Sequence, residues 1–336
     1  MEALIMKLKK TLALVMALCI AFAMLATFVG CSPKDDGKFT IGILQLAPHP
    51  ALDAATKGFK DVLTEEFGEN VEFIFVNAQG DSNACTAGIT DFVSKNVDLI
   101  MANATNALQA ANNGTITIPI LGTSVTDYPT ALALDRDAYA QSGGVIGTNV
   151  SGTSDLAPLD QQAQMLVDLF PEATKVGLLY CSAEPNSQYQ IDIIKPLLEA
   201  AGKTCTLFSF SDSNDIAQVA AAAAAASDVI YVPTDNTVAD CTGAVLGAIG
   251  DTPIIAGEEG ICSGCGVATL SISYEDLGRI TGEMAVKILK GEEKVEEMAI
   301  QFAAATAKKY NKARCEELGI DTAALEAKGY VAIATE

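Results

Sequence analysis

The amino-acid sequence predicts an α/β fold of two similar lobes, each built on a parallel sheet with helices on both faces. Two observations lead to this prediction. From Phe39 onward, short apolar runs alternate with longer stretches of helical period. The alternation then repeats over a second stretch of about equal length, after a turn-rich segment at 148–155. Two successive runs of this kind indicate two lobes.

The first run predicts strands at 39–46, 71–76, 99–102 and 118–121, and helices at 51–67, 86–95 and 106–112. Strands such as 99–102 are apolar throughout, as expected for a sheet covered on both faces.

The second run predicts helices at 158–169, 187–201, 216–226 and 237–249, and strands at 176–180, 204–208, 229–232, 253–256 and 266–272. The alanine tract at 220–226 is interpreted as a packed helix, because alanine is the strongest helix former. A helix at 277–289 follows the last strand and is expected on the first lobe. We therefore assign 39–150 plus about 275–300 to the first lobe, and 151–274 plus about 301–336 to the second.

The N-terminal segment has the pattern of a secretory leader. Three lysines, Lys7, Lys9 and Lys10, precede an uncharged apolar run at 11–29, and Gly30 places a small residue before Cys31. This end of the run resembles a bacterial lipobox. It predicts a cleaved leader at 1–30, a lipidated Cys31, a tether at 31–38 and an extracytoplasmic, membrane-anchored protein. The run is also about long enough to cross a bilayer permanently.

The charge balance excludes one class of partner. The chain has a formal net charge of −21, which becomes −23 when a leader carrying three Lys and one Glu is removed. Nucleic acid and anionic membrane surfaces are therefore poor partners.

The cysteines give no metal site. Of nine cysteines, Cys19 leaves with the leader and Cys31 is the predicted acylation site, so an odd number remains. Cys262 and Cys265 have metal or redox spacing, but no second such pair exists, and the only histidine, His49, is distant in sequence. We interpret these cysteines as small buried residues, with at most one disulfide, and expect neither a metal nor a cofactor.

Ligands of parallel sheets bind beyond the carboxyl ends of the strands. The loops at those ends are 45–50, 77–83, 103–106 and 123–127 in the first lobe, and 182–187, 211–214, 233–236 and 258–259 in the second. They are rich in Asn, Gln, Ser, Thr and Asp, which suit recognition better than catalysis. Asp235 and Asn236 lie where they either cap a helix or hold an ammonium group. Thr105 and Asn106 lie at a helix start, whose amides suit a carboxylate.

An enzyme is not predicted. The sequence has no nucleophile elbow, phosphate loop or dinucleotide fingerprint. His49 is the one candidate base, so a hydrolase would require turnover that depends on it.

Stretches along nearly the whole mature chain resemble the ABC-transporter substrate-binding lipoproteins of the tryptophan and aromatic amino-acid uptake type. The matching stretches are 41–45 (IGILQ), 49–53 (HPALD), 58–59 (GF), 77–81 (NAQGD), 97–100 (VDLI), 125–127 (VTD), 184–187 (EPNS), 231–238 (YVPTDNTV), 255–258 (IAGE) and 284–291 (MAVKILKG). The resemblance implies a type I periplasmic-binding-protein fold. Its two lobes would be joined by three crossovers, near 148–153, near 272–274 and after Met298, and would close on the ligand like a hinge.

The resemblance also implies ligand contacts from Gln45, Thr105, Ser124, Asp155, Asn186, Ser187, Asp235, Asn236 and Glu258. The chain departs from the family pattern at Pro48, where an acidic residue is usual, and at Tyr128–Pro129. Tyr128, Tyr180 and Tyr274 are candidates for stacking on a ligand.

The sequence thus predicts a monomeric receptor that binds an amino acid and delivers it to an ABC permease and ATPase. Asp235 or Glu258 is expected to face the ammonium group, and amides near Thr105 the carboxylate. Two alternatives remain: a receptor for a sugar or another small organic solute, and a signalling receptor without its own permease.

Overall fold

The computed structural model of this chain describes residues 37–334, so the predicted leader, Cys31 and most of the tether lie outside the described residues. Its strands are β1 (Phe39–Gln45), β2 (Val71–Asn77), β3 (Leu99–Asn103), β4 (Ile120–Val125), β5 (Val150–Ser154), β6 (Lys175–Cys181), β7 (Thr204–Phe210), β8 (Val229–Val232), β9 (Ile254–Ala256), β10 (Ala268–Ile272), β11 (Gln301–Phe302), β12 (Thr306–Tyr310) and β13 (Val331–Ala332).

The helices cover the faces of the sheets. They are α1 (Pro50–Phe67), α2 (Ser82–Ser94), α3 (Thr105–Gly114), α4 (Tyr128–Leu132), α5 (Arg136–Gln141), α6 (Leu159–Leu169), α7 (Pro185–Ala200), α8 (Ile216–Ala226), α9 (Asn236–Asp240), α10 (Thr242–Ile249), α11 (Glu259–Cys265), α12 (Tyr274–Leu289), α13 (Lys312–Glu317) and α14 (Thr322–Ala327). The single helix predicted at 237–249 is divided into α9 and α10 at Cys241.

The strands form two sheets. The first has the order β11-β5-β4-β3-β1-β2 and the second the order β13-β12-β10-β9-β8-β6-β7. Neighbouring strands are parallel, except that β12 runs antiparallel to β10. The predicted α/β fold with two parallel-sheet lobes is confirmed.

Each sheet is covered on both faces because successive side chains of a strand point to opposite sides. On β1, Ile41 and Ile43 pack with Phe59 of α1, whereas Leu44 packs with Phe92 of α2. The second sheet repeats this arrangement: Leu178 lies in the cluster of α6 and α7, and Leu179 packs with Ala220 and Ala223 of α8. The alanine tract is therefore a packed helix.

Helix α12 returns to the first lobe and crosses α1 at very short range. A Cβ atom on Gly58 would lie 2.1 Å from the carbonyl oxygen of Glu275. Glycine is required at this crossing because any side chain would collide with the opposing backbone.

The chain passes between the sheets three times, at 155–158, at Ser273 and at 303–305. The predicted lobe boundary after residue 150, with a crossover near 148–153, is wrong. Val150–Ser154 is β5 of the first sheet and pairs with β4 and β11, so the first crossover follows Ser154. Residues 301–302, assigned above to the second lobe, form β11 and also pair in the first sheet.

Candidate functional site: the interlobe cleft

The carboxyl ends of both sheets face a cleft between the lobes. Side chains from the two lobes line two cavities there. One has a volume of about 500 Å³ and includes Pro50, Glu258 and Tyr274. The other has a volume of about 320 Å³ and includes Asn106 and Glu184. Both volumes fall in the range of small-molecule sites, ~300–1,000 Å³.

The nine residues proposed from the sequence are all buried: Gln45, Thr105, Ser124, Asp155, Asn186, Ser187, Asp235, Asn236 and Glu258. They lie at or just beyond strand ends on neighbouring strands of the two sheets. Their hydrogen bonds separate them into two groups, those with an unpaired polar atom and those whose polar atoms are already paired within the protein.

The unpaired group is concentrated in the first lobe. Thr105 Oγ1, Asn106 Oδ1, Ser124 Oγ and Asn103 Oδ1 are buried without a hydrogen-bond partner in the described part of the chain. An unpaired buried polar atom costs roughly 1–3 kcal/mol. Such a group at the mouths of adjacent strands is the arrangement expected where a ligand supplies the partners. Asn103 and Asn106 were not among the predicted contacts, although both lie in a predicted ligand loop.

The backbone at the same strand ends is strained. Ala104, directly before α3, has φ 91° and ψ 161°, a region that only glycine adopts without cost. Ser124 has φ 53°. These conformations accompany the turn from β3 into α3 and the end of β4, beside the unpaired hydroxyls of Thr105 and Ser124. Strain of this kind concentrates at binding sites.

Asp155 lies at the first crossover and keeps one free oxygen. Its Oδ2 accepts a hydrogen bond of 2.9 Å from the Tyr274 hydroxyl, while its Oδ1 is buried without a partner within residues 37–334. Burial raises the pKa of Asp155, and the side chains of Thr126 and then Tyr274 oppose that rise. A cationic group beside Oδ1 would stabilise the carboxylate.

Asp235 and Glu258 both accept hydrogen bonds from backbone amides of the protein. Asp235 caps α9 by accepting from Val238 N at 2.9 Å, and its other oxygen accepts from Cys181 N at 2.7 Å. Glu258 caps α11 through Gly260 N and Ile261 N. The structure therefore does not favour either carboxylate as the ammonium partner predicted from the sequence.

The same two carboxylates have strongly perturbed acidity. Burial, and next the charge of Glu184, raises the pKa of Asp235 to about 7. Burial raises the pKa of Glu258 to about 7 as well, with Asp155 among the smaller contributors. The latter effect indicates that groups from the two sides of the cleft lie close together.

Glu184 organises the cleft surface of the second lobe. Its carboxylate accepts from the backbone N–H of Asn236 at 3.0 Å and of Thr237 at 2.8 Å. It also accepts from Asn236 Nδ2 at 2.6 Å and from Thr237 Oγ1 at 2.7 Å. Sequence reasoning omitted Glu184 from the predicted contacts, although it begins the matching stretch at 184–187.

Asn186 and Ser187 follow Glu184 on α7. Asn186 Nδ2 donates to the Thr234 carbonyl at 3.2 Å, while its Oδ1 is buried without a partner in the described residues. Ser187 Oγ donates to the same carbonyl at 3.4 Å. Asn186 is thus the second-lobe residue whose side chain retains a free acceptor for a ligand.

Gln45 has a supporting role. Its Nε2 donates to the Ala47 carbonyl at 2.9 Å and to Asp53 Oδ1 at 2.7 Å, and its Oε1 accepts from Thr56 at 2.7 Å. Both amide hydrogens are used, so Gln45 fixes α1 against β1 and has no donor left for a ligand.

Two of the aromatic candidates lie in the lobe interiors. Tyr128 packs in the first-lobe core, and its hydroxyl donates to the Thr153 carbonyl at 3.2 Å. A Cβ atom on Gly122 would lie 2.5 Å from that hydroxyl, so a glycine makes room for it. Tyr180 belongs to the second-lobe core. Tyr274 is the candidate that lines the cleft.

His49 makes a contact that joins the lobes. Its Nε2 lies 3.2 Å from Oδ1 of Asn236, and its Nδ1 is buried without a partner in the part of the chain described. Burial lowers the pKa of His49, and the hydrogen bond to Asn236 partly opposes this effect. Neighbouring Pro48 is exposed.

The sequence-based expectations for cysteines and metal ligands concern residues that lie within 37–334. The seven cysteines of this part, Cys262 and Cys265 included, are unpaired, and burial raises the pKa of both thiols. No group of three or more metal-liganding side chains occurs there. None of the helices in this part combines the length and apolar character needed to cross a bilayer.

Two α/β lobes joined by three crossovers, with a buried polar cleft between them, define a binding protein of the periplasmic type. Comparison with known proteins gives the family. Residues 40–326 match the family described as ABC transporter substrate binding protein. The chain belongs to this family, whose members are extracytoplasmic and bind the substrate of an ABC transporter.

The chain is similar to proteins with stated ligands. It is 36% identical over 303 residues to a tyrosine-binding protein of Clostridioides difficile, covering 85% of each chain. It is 31% identical to the solved structure of an ABC domain from Streptococcus pneumoniae in complex with L-Trp. That match covers 88% of this chain and 100% of the other, with a TM-score of 0.81.

A third relative differs in the reported state of its cleft. The ligand-free, open structure of a substrate-binding protein with adhesive properties from Clostridium difficile is 35% identical. It covers 89% of this chain and 100% of its own, with a TM-score of 0.64. The present structure is thus more similar in shape to the L-Trp complex than to the open relative, although the open relative has the higher sequence identity.

Proposed function

We propose that this chain is the receptor of an ABC importer for an amino acid, with an aromatic amino acid favoured. The observation that carries the proposal is the set of unpaired buried polar atoms in the cleft. On one side are the hydroxyl donors of Thr105, at the start of α3, and Ser124, at the end of β4, beside the amide side chains of Asn103 and Asn106. On the other are the free oxygens of Asp155 and Asn186. This division matches the two charged ends of a zwitterion.

The ligand carboxylate is placed at the start of α3. The first amides of a helix lack intrahelical acceptors and carry partial positive charge. The Thr105 hydroxyl adds a donor at the helix start, and the Ser124 hydroxyl adds one at the end of the neighbouring strand β4. The helix supplies this site without a fixed cation, which suits a ligand that must later be released.

The ligand ammonium group is placed at Asp155, with Asn186 Oδ1 as a second acceptor. This revises the expectation from the sequence that Asp235 or Glu258 holds it, because each oxygen of those carboxylates already accepts a backbone hydrogen bond, whereas Asp155 Oδ1 accepts none. A charge-assisted hydrogen bond between an ammonium and a buried carboxylate is stronger than a neutral one.

The ligand side chain is placed in the larger cavity. Tyr274 lines this cavity and also donates to Asp155, so the cavity adjoins the proposed ammonium site. Tyr274 offers an aromatic face against which a ring could pack. Similarity to the tyrosine-binding protein and to the L-Trp complex supports an aromatic ligand.

The receptor would be held at the membrane by a lipidated Cys31 and act as a monomer with an ABC permease and ATPase. The lipobox pattern before Cys31 and the family membership support this arrangement. Genes for a permease and an ATPase beside its own would support import. A neighbouring sensor kinase gene would favour signalling.

A thermal-shift screen of the mature chain against the twenty amino acids and common sugars tests the ligand. At a hundredfold its dissociation constant a ligand stabilises the folded state by about 2.7 kcal/mol, so tyrosine, tryptophan or phenylalanine should raise the melting temperature most. Stabilisation by sugars alone, or by none of the amino acids, would contradict the proposal.

A further inference from the structure

A hydrogen-bond chain runs across the cleft from the first lobe into the second. His49 Nε2 lies 3.2 Å from Asn236 Oδ1, and Asn236 Nδ2 donates to Glu184 Oε2 at 2.6 Å. His49 lies just before α1, whereas Asn236 and Glu184 lie at the starts of α9 and α7. All three side chains are buried.

The direction of each hydrogen bond in this chain is fixed by Glu184. Its carboxylate only accepts, so the amide nitrogen of Asn236 must face it and the amide oxygen must face His49. The His49 ring then carries its hydrogen on Nε2 and donates to that oxygen. The backbone N–H of Asn236 donates to the same carboxylate oxygen at 3.0 Å. Asn236 is therefore held in one orientation before the lobes meet.

The residues of this hydrogen-bond chain differ from the proposed ligand-contacting groups in how their polar atoms are paired. Asn236 and Glu184 pair with each other and with Thr237 inside the second lobe, so they do not need a ligand to satisfy them. The bond to His49 is the step that requires both lobes. A second interlobe contact is the Arg136 guanidinium, which lies 5.0 Å from the centre of the Tyr189 ring.

We propose that His49, Asn236 and Glu184 form a latch that keeps the cleft closed over a bound ligand, with His49 and Asn236 as positioning residues that set how long the ligand stays. This inference rests on the proposed function, because it requires a ligand in the cleft. Separation of the lobes breaks the His49–Asn236 bond and leaves the second-lobe network intact. Loss of the bond through His49→Ala therefore speeds opening without removing a group proposed to contact the ligand.

The test uses the mature full-length chain with L-tyrosine and L-tryptophan as probes, and compares wild type with His49→Ala, Asn236→Ala and the double variant at pH 8. Stopped-flow measurements give the association and dissociation rates. Each single variant should raise the dissociation rate about 2- to 10-fold, the range for one buried hydrogen bond, and leave the association rate nearly unchanged. The double variant should dissociate no faster than the faster single variant.

Two further variants separate the latch from a general structural effect. Asp240→Asn is the matched control, since this exposed carboxylate acts on His49 by charge and is not hydrogen-bonded to it in the described structure. It should leave the dissociation rate unchanged. His49→Gln supplies an amide N–H donor in place of the ring N–H and should recover part of the slow dissociation. Thermal unfolding shows that each variant folds.

Unchanged dissociation rates, or single effects that multiply in the double variant, would overturn the latch while leaving amino-acid binding intact. If another solute in the screen binds instead, the amino-acid proposal fails, and the same rates measured with that solute decide the latch. A wild-type chain that binds none of the solutes overturns both.

Discussion

The cleft surfaces of the two lobes differ in whether their buried polar groups are hydrogen-bonded within the protein. The first lobe leaves Thr105, Asn106 and Ser124 with unpaired buried atoms and strains the backbone beside them. The second lobe pairs Asp235, Glu258 and Glu184 with its own amides and side chains. The first lobe, with Asp155 at the crossover, is thus prepared for a ligand. The polar cleft groups of the second lobe are paired within that lobe, apart from Asn186 Oδ1. Its cleft surface is therefore already formed before the lobes close.

The largest expected effect is on the pH dependence of the free energy of unfolding, through two carboxyl groups of the second lobe. Asp235 and Glu258 have folded-state pKa values raised to about 7, so the folded state binds their protons more tightly than the unfolded state. Their contribution to the free energy of unfolding is therefore greatest below about pH 4 and is lost as the pH rises to about 7. Urea unfolding followed by circular dichroism should show lower stability at pH 8 than at pH 5.

The Asp235→Asn variant is the control for this pH effect. It should show a shallower fall in stability between pH 5 and pH 8 than wild type. Its stability at pH 5 should also be lower, because an amide cannot accept from both Val238 N and Cys181 N. A wild-type stability that rises over this interval, or an unchanged slope in the variant, would contradict the assignment.

The next effect distinguishes Asp155, which has an unpaired oxygen, from Asp235, whose two oxygens accept backbone hydrogen bonds. Asp155→Asn should weaken binding of the amino acid identified by the screen about 10- to 100-fold, the range for a hydrogen bond to a charged group. It should not lower the melting temperature of the ligand-free protein, because it removes a buried charge with one unpaired oxygen. Asp235→Asn should lose stability more than affinity. Isothermal titration and thermal unfolding of both variants measure the difference.

The smallest effect concerns single hydroxyls. Thr105→Val should leave the stability of the ligand-free protein unchanged or slightly higher, since the hydroxyl is unpaired, and should weaken amino-acid binding about 5-fold. Thr269 is a matched control, because its hydroxyl is also buried and unpaired but lies in the middle of the second sheet. Thr269→Val should leave affinity unchanged. Equal effects of the two substitutions on binding would remove Thr105 from the site.

The sequence predicted most of the fold because the buried strands are apolar and regularly spaced. It misplaced the first crossover because β5 is both buried and polar. The hydroxyls of Ser151, Thr153 and Ser154 are paired within the first lobe, with the Met298 carbonyl, with Thr281 and with the Thr126 carbonyl. A stretch of Ser, Gly and Thr has the composition of a turn. The two-residue strands β11 and β13 are exposed and give no apolar pattern.

The candidate site was predicted from its position in the fold, whereas the hydrogen bonding of its residues was not predicted. Strand-end loops located Asp235 and Glu258, and the family resemblance located Asp155, but residue type alone cannot show whether a carboxylate oxygen is already paired. That depends on amides brought together by folding, such as Cys181 N, which is far from Asp235 in sequence. Glu184 and His49 were missed as contacts because their importance lies in bonds to Asn236.

The connection from β10 to α12 consists of Ser273 alone, whose side chain accepts from Asp276 N at 3.2 Å and caps the helix. A link of one residue limits how far the two lobes can move apart at this point. Asp155 lies in the first connection and Tyr274 directly after the second, where opening of the cleft moves the lobes apart least. His49 follows β1, three strand spacings or about 14 Å from β5. A hydrogen bond this far from the connections therefore opposes opening of the cleft more effectively than one beside them.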